Sequence, residues 1–152
     1  MIELLAPAGS MDALKAAVQN GANAVYLGCG PFNARQSAKN FTPQTLKDAV
    51  KYCHIRGVDV HLTLNTLVSD KELDALSEMI RHAASCCVDA FIVQDLGVVQ
   101  LCRQIAPHIP VHASTQMTIH SLAGVQLCAA MGMKRVVLSR ELNREEIRYI
   151  CA

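Results

Sequence analysis

The sequence has no C-x-x-C pair, no H-E-x-x-H and no G-x-S-x-G. It therefore shows neither the helix-borne zinc site of a metalloprotease nor the nucleophile elbow of an α/β-hydrolase. Seven cysteines (Cys29, Cys53, Cys86, Cys87, Cys102, Cys128 and Cys151) are spaced without a metal-ligand pattern. Their odd count, with no signal peptide, argues against a secreted disulfide scaffold. They read as small buried hydrophobes in a reducing, cytoplasmic setting. No apolar run is long enough to span a membrane. A net charge of +1 gives no general electrostatic attraction to nucleic acid or anionic lipid.

What is present is apolar and regular. Hydrophobic residues make up 51% of the chain, which suits elements buried on both faces. Ile2–Leu5 reads as a first strand broken by Ala6-Pro7-Ala8-Gly9. Ser10 then caps a helix that runs to about Asn20. Ala24–Leu27 is a second strand, followed by a loop from Gly28 to Asn40. Thr42-Pro43 opens a helix that Gly57 closes. Val58–Leu64 is a third strand, and Ser69 or Asp70 starts the helix after it. Ala90–Val93, the strand after Pro110 and Arg135–Leu138 complete the series. Helices follow them from Leu96 to Ala106, from Ser121 to Met131 and from the cap Asn143.

Six strand–helix units in strict alternation require a parallel sheet covered by helices. A dinucleotide-binding sheet is excluded by the first turn, Ala6-Pro7-Ala8-Gly9-Ser10, which carries no G-x-G-x-x-G. Gly28-Cys29-Gly30 supplies only two of the glycines, with Asn33 in the third position. The remaining solution is a parallel (β/α) barrel of TIM type, which takes eight units and typically about 250 residues. Residues 1–152 thus read as the amino-terminal portion of a single barrel domain, about six of its eight units. The open seam would expose unpaired strand edges, a route to self-association.

Several ordered blocks carry a resemblance. Glu3-Leu4-Leu5-Ala6-Pro7-Ala8-Gly9, Gly21-Ala22-Asn23-Ala24-Val25-Tyr26-Leu27-Gly28, Ala38-Lys39-Asn40-Phe41 and Thr63-Leu64-Asn65-Thr66 come first. Val93-Gln94-Asp95-Leu96-Gly97, His112-Ala113-Ser114-Thr115-Gln116-Met117 and the run from Arg135 to Leu142 follow. Together the chain resembles the collagenase-like peptidases of unknown catalytic type. The resemblance implies a barrel enzyme. Several members hydroxylate a base of transfer or ribosomal RNA, or the ubiquinone ring, without molecular oxygen; others carry a protease label. It also implies prephenate as hydroxyl donor in the RNA branch. Iron–sulfur clusters occur in characterised branches, through a cysteine-rich region that lies beyond Ala152, so none of the seven cysteines here is assigned to one.

Strand parity selects the candidate site residues, because alternate side chains face the barrel interior. Val60, Leu62 and Leu64 form a helix-facing set, which turns His61, Thr63 and Asn65 inward. On the fifth strand Val111 and Ala113 turn outward and His112, Ser114 and Gln116 inward. Asn65, Gln94, Ser114 and Gln116 are the expected polar anchors for a planar substrate or a carboxylate. Asp95 and Glu141 are candidates for acid or base, and Arg140 for gripping an anionic donor. Each has a structural alternative: Asp95 as a helix cap, Arg140–Glu141 as an ion pair. His61 and His112 read as core histidines bonded to each other or to Glu3. His82 and Cys86 meet at helical spacing but lack further metal partners. Phe32, Arg35 and Lys39, in the loop from Gly28 to Asn40, suit a nucleotide contact; the plain alternative is an ordinary long loop.

Overall fold

Parallel strands need a crossover between each pair, and here a helix supplies every one. The computed structural model describes residues 2–34 and 40–152. Within them, six strands pair in parallel and strictly in chain order: β1 (Leu5–Pro7), β2 (Ala24–Gly28), β3 (Asp59–Leu64), β4 (Ala90–Val93), β5 (Val111–Ala113) and β6 (Arg135–Val136). The intervening helices are α1 (Met11–Gln19), α2 (Pro43–His54), α3 (Leu73–Ser85), α4 (Leu96–Ile105), α5 (Leu122–Ala130) and α6 (Arg144–Cys151).

The sheet is curled. Were it flat, its outermost strands would lie about 24 Å apart. Instead the guanidinium of Arg135 on β6 donates to both carboxylate oxygens of Glu3, just ahead of β1, at 2.8 and 2.7 Å. The architecture is the incomplete parallel (β/α) barrel read from the sequence.

Local chemistry explains most boundaries. Ser10 Oγ accepts the Ala13 N–H, and Thr42 Oγ1 accepts that of Thr45, with Pro43 as first residue of α2. Asn143 Oδ1 accepts from Glu145 and Glu146 at 2.9 and 3.0 Å, while the Glu146 carboxylate takes the Asn143 N–H. Helix α2 turns Leu46, Ala49, Val50 and Cys53 onto the sheet, where Val60, Leu62 and Leu64 meet the helix layer.

Three boundaries differ from the sequence reading. The first strand is Leu5–Pro7 rather than Ile2–Leu5, because proline sits at the sheet edge, where no N–H is needed from it. Asn23 instead fixes the preceding segment: its Oδ1 accepts the Leu4 N–H, and its own N–H goes to the Leu4 carbonyl. Asp70–Glu72 forms a 3-10 turn before α3, with Ser69 donating to Glu72. The sixth strand stops at Val136, although the Val137 N–H still reaches the Ala113 carbonyl at 3.0 Å.

Leu62 is fully buried and Leu67, just past the same strand, is 74% exposed. Leu62→Ala should cost about 2–5 kcal/mol in a denaturant melt, and Leu67→Ala less than about 0.5 kcal/mol. Similar losses for both would contradict the two-layer core.

Candidate functional site

At the carboxyl ends of the strands lies a cavity of about 390 Å³. Its wall takes one to three residues from each strand or the segment just after it: Leu5, Tyr26 to Gly28, Thr63 and Asn65, Ile92, Ser114 to Gln116, and Val137. Ala8, Gly9, Asn33, Ala34 and Asn40 complete it from the loops. The alternation Tyr26/Gly28 and Thr63/Asn65 is the inward parity of neighbouring strands, in register at Tyr26–His61 and Gly28–Thr63.

The wall offers amide, hydroxyl and phenol groups, and no described lining residue carries a formal charge. Several polar atoms are already committed. Thr63 Oγ1 donates to the Leu27 carbonyl at 3.0 Å. Ser114 Oγ accepts the Gln116 N–H at 3.2 Å, and Asn65 Oδ1 accepts the Ala34 N–H at 3.1 Å. Gln116 is exposed on the wall.

Of the residues selected from sequence, the cavity brings together Asn65, Ser114 and Gln116. Gln94 does not line it: β4 ends at Val93, so the inward alternation stops at Ile92. Asp95 is drawn away by helix α4, its Oδ1 accepting the Gly97 and Val98 N–H groups at 2.7 and 3.3 Å while Oδ2 accepts that of Val68 at 3.4 Å. It acts as a cap that also ties down the β3–α3 loop. Arg140 and Glu141 are exposed beyond the wall residue Val137. Glu141 pairs with the Ser139 hydroxyl rather than with Arg140. That hydrogen bond, the Glu141 backbone N–H, Arg140 and His120 hold its carboxyl below the usual range, which makes it a weak base and no acid at neutral pH. Arg35 and Lys39 lie outside the described residues.

Sequence reasoning missed Tyr26, Asn33, Asn40 and Thr115. Tyr26 was readable by parity on β2. Thr115 was not, because β5 gives way to a 3-10 turn over Thr115–Met117, which puts three consecutive residues on the wall.

The opposite end of the barrel holds a second polar group. His61 and His112 are buried and meet edge to face, ring centroids 5.0 Å apart, rather than by the expected hydrogen bond. Glu3, the other expected partner, is engaged by Arg135, which lowers its carboxyl pKa. Burial lowers both histidines; His112 falls to about 4, with His61 and Arg135 adding repulsion.

Cysteines do not form a centre. Among the described residues no three His, Cys, Asp or Glu side chains come together to hold a metal ion. Cys86 Sγ lies 3.5 Å from His82 Nε2, but that nitrogen also faces the Pro43 carbonyl at 2.9 Å. Burial raises the Cys86 pKa, the opposite of an activated thiolate. The donor set therefore does not fit an iron–sulfur cluster held by this chain's described residues.

The family model described as peptidase family U32 matches residues 9–152. The chain belongs to that family. Among its relatives is tRNA hydroxylation protein P of Helicobacter pylori, 42% identical over 143 residues, covering 93% of this chain and 34% of the relative. An uncharacterized protease of Methanocaldococcus jannaschii is 40% identical over 150 residues, 99% of this chain and 36% of the relative. The 23S rRNA 5-hydroxycytidine C2501 synthase of Escherichia coli is 37% identical over 149 residues, 98% of this chain and 22% of the relative. The chain thus spans about a third or less of the length of these relatives. A solved U32 peptidase superposes with a TM-score of 0.79 at 16% identity, over 99% of this chain and 64% of that one, which supports the barrel fold. Deoxyribose phosphate aldolase from Aeropyrum pernix shares the fold at a TM-score of 0.70 and 15% identity, over 89% of this chain and 63% of that one.

The histidine pair sets an acid limit on stability. A histidine whose folded pKa lies below its unfolded value of 6.5 contributes fully above pH 6.5, and the contribution falls as pH drops toward the folded value, about 4 for His112. The slope is about 1.4 kcal/mol per pH unit for each such group. Melting temperatures measured from pH 7 to 4.5 should fall less steeply for His112→Phe than for wild type. Parallel curves would show that His112 is not held neutral by burial.

Proposed function

We propose that this chain supplies the substrate-binding barrel mouth of an oxygen-independent hydroxylase acting on an RNA base. The observation that carries the reading is the cavity wall: uncharged hydrogen-bonding groups among apolar side chains, at the carboxyl-terminal end of a parallel barrel. A nucleobase is planar, neutral and rich in donors and acceptors, and single-stranded bases are read by hydrogen bonds to their edges and by aromatic stacking. Ser114 and Gln116 offer the former, and Tyr26 an aromatic ring. The hydroxylation names of the H. pylori and E. coli relatives support the same chemistry.

A dicarboxylate donor such as prephenate needs a cation, and the uncharged wall does not provide one. Arg140, three residues past Val137, is the side chain we assign to that task. An iron–sulfur cluster, where present, is assigned to no residue of this chain. An RNA substrate would suit a cytoplasmic enzyme. A peptidase would need an activated nucleophile. The serine on the cavity wall accepts a backbone N–H, and the Cys86–His82 pair sits on a helix outside the barrel with a raised thiol pKa.

Deleting the gene should remove one hydroxylated nucleoside from digested tRNA or rRNA, seen by mass spectrometry. The wild-type gene should restore it, and Gln116→Ala should restore less than about a tenth. An unchanged nucleoside profile after deletion would sink the reading.

A further inference from the structure

We infer that Gly28, Asn33 and Asn65 form a latch that fixes the near end of the β2–α2 loop as a wall of the mouth cavity, so that Asn65 acts as a positioning residue through the loop backbone. The inference rests on reading the cavity as the substrate site.

The first contact is steric. A Cβ built on Gly28 would lie 2.5 Å from Asn33 Cγ, 2.6 Å from Oδ1 and 2.8 Å from Nδ2. The Asn33 amide therefore lies directly against the Gly28 backbone, closer than any side chain at position 28 permits. Asn33 cannot swing aside freely, being 2% exposed with its Nδ2 donating to the Gly30 carbonyl at 2.8 Å.

The second contact comes from a different strand. The N–H of Ala34, the next residue, donates to Asn65 Oδ1 at 3.1 Å, just past the end of β3. On the far side, the Phe41 N–H reaches the Gly28 carbonyl at 3.0 Å and the Gly30 N–H reaches the Phe41 carbonyl at 3.3 Å. The stretch from Gly28 to Ala34 is thus tied to itself, to β3 and to the entry of α2. Gly28, Asn33, Ala34 and Asn65 all line the cavity. What the latch requires of position 65 is an acceptor oxygen, whereas a residue reading a base edge would also use its amide N–H₂.

That difference gives the test, made on the protein as its gene encodes it. Deuterium uptake of the peptide spanning residues 28–34 should quicken about three- to tenfold in Asn65→Ala and stay within about twofold of wild type in Asn65→Asp, which keeps the acceptor. Gly28→Ala should quicken it as well, and should add less than about twofold in an Asn33→Ala background, where the amide it strikes is gone. In RNA hydroxylation assays Asn65→Ala should raise KM with kcat nearly intact, because a displaced wall weakens binding more than chemistry. Uptake unchanged in Asn65→Ala, or Asn65→Asp as fast as Asn65→Ala, would overturn the latch. If wild-type protein hydroxylates no RNA, the functional reading fails while the exchange result still decides the latch.

Discussion

The structure depends on one constraint: six short parallel strands paired in chain order and curled until the two outer ones face each other. Parallel pairing forces each connection to cross over through a helix, and the helices cover the outer face. Curling turns the other face into an interior. Once register is set, the two-residue period of a strand decides which side chains meet there. His61, Thr63 and Asn65 follow one another inward from the floor to the mouth of the barrel, and His112 and Ser114 repeat the sequence two strands away.

The two ends of that interior have opposite electrostatics. At the amino-terminal end, charge is present and paired: Glu3 with Arg135, beside two histidines that burial keeps neutral. The carboxyl-terminal mouth shows no charge among its described lining residues. The Glu3–Arg135 pair is exposed at its rim, whereas the amides and hydroxyls of the mouth are satisfied by nearby backbone. The mouth is thus suited to exchanging local hydrogen bonds for those of a neutral, planar ligand.

Helix starts were legible because capping is local. Ser10, Thr42, Asp95, Ser121 and Asn143 each bond within three residues, as their spacing in the sequence indicates. Strands are legible from their apolar runs, except at Pro7, which reads as a breaker in sequence but sits within β1 at the sheet edge. The site was half legible. Parity found Asn65 and Ser114, but it could not foresee that β4 stops one residue too early to aim Gln94, or that β5 coils and brings in Thr115. The carboxylates attracted attention as acids and bases, yet Asp95 is used by backbone N–H groups and Glu141 by a hydroxyl two residues away. Asn33 was beyond reach because its place depends on a close contact with the Gly28 backbone within a loop.

The most direct test of the central claim, that the mouth of the barrel receives the target base, is photocrosslinking of the protein to RNA carrying 4-thiouridine, with the crosslinked peptides mapped by mass spectrometry. Crosslinks on the peptides that contain Tyr26, Asn65 and Ser114 to Gln116 are expected. Crosslinks confined to the floor around Glu3 and Arg135, or to the outer helices, would contradict the account.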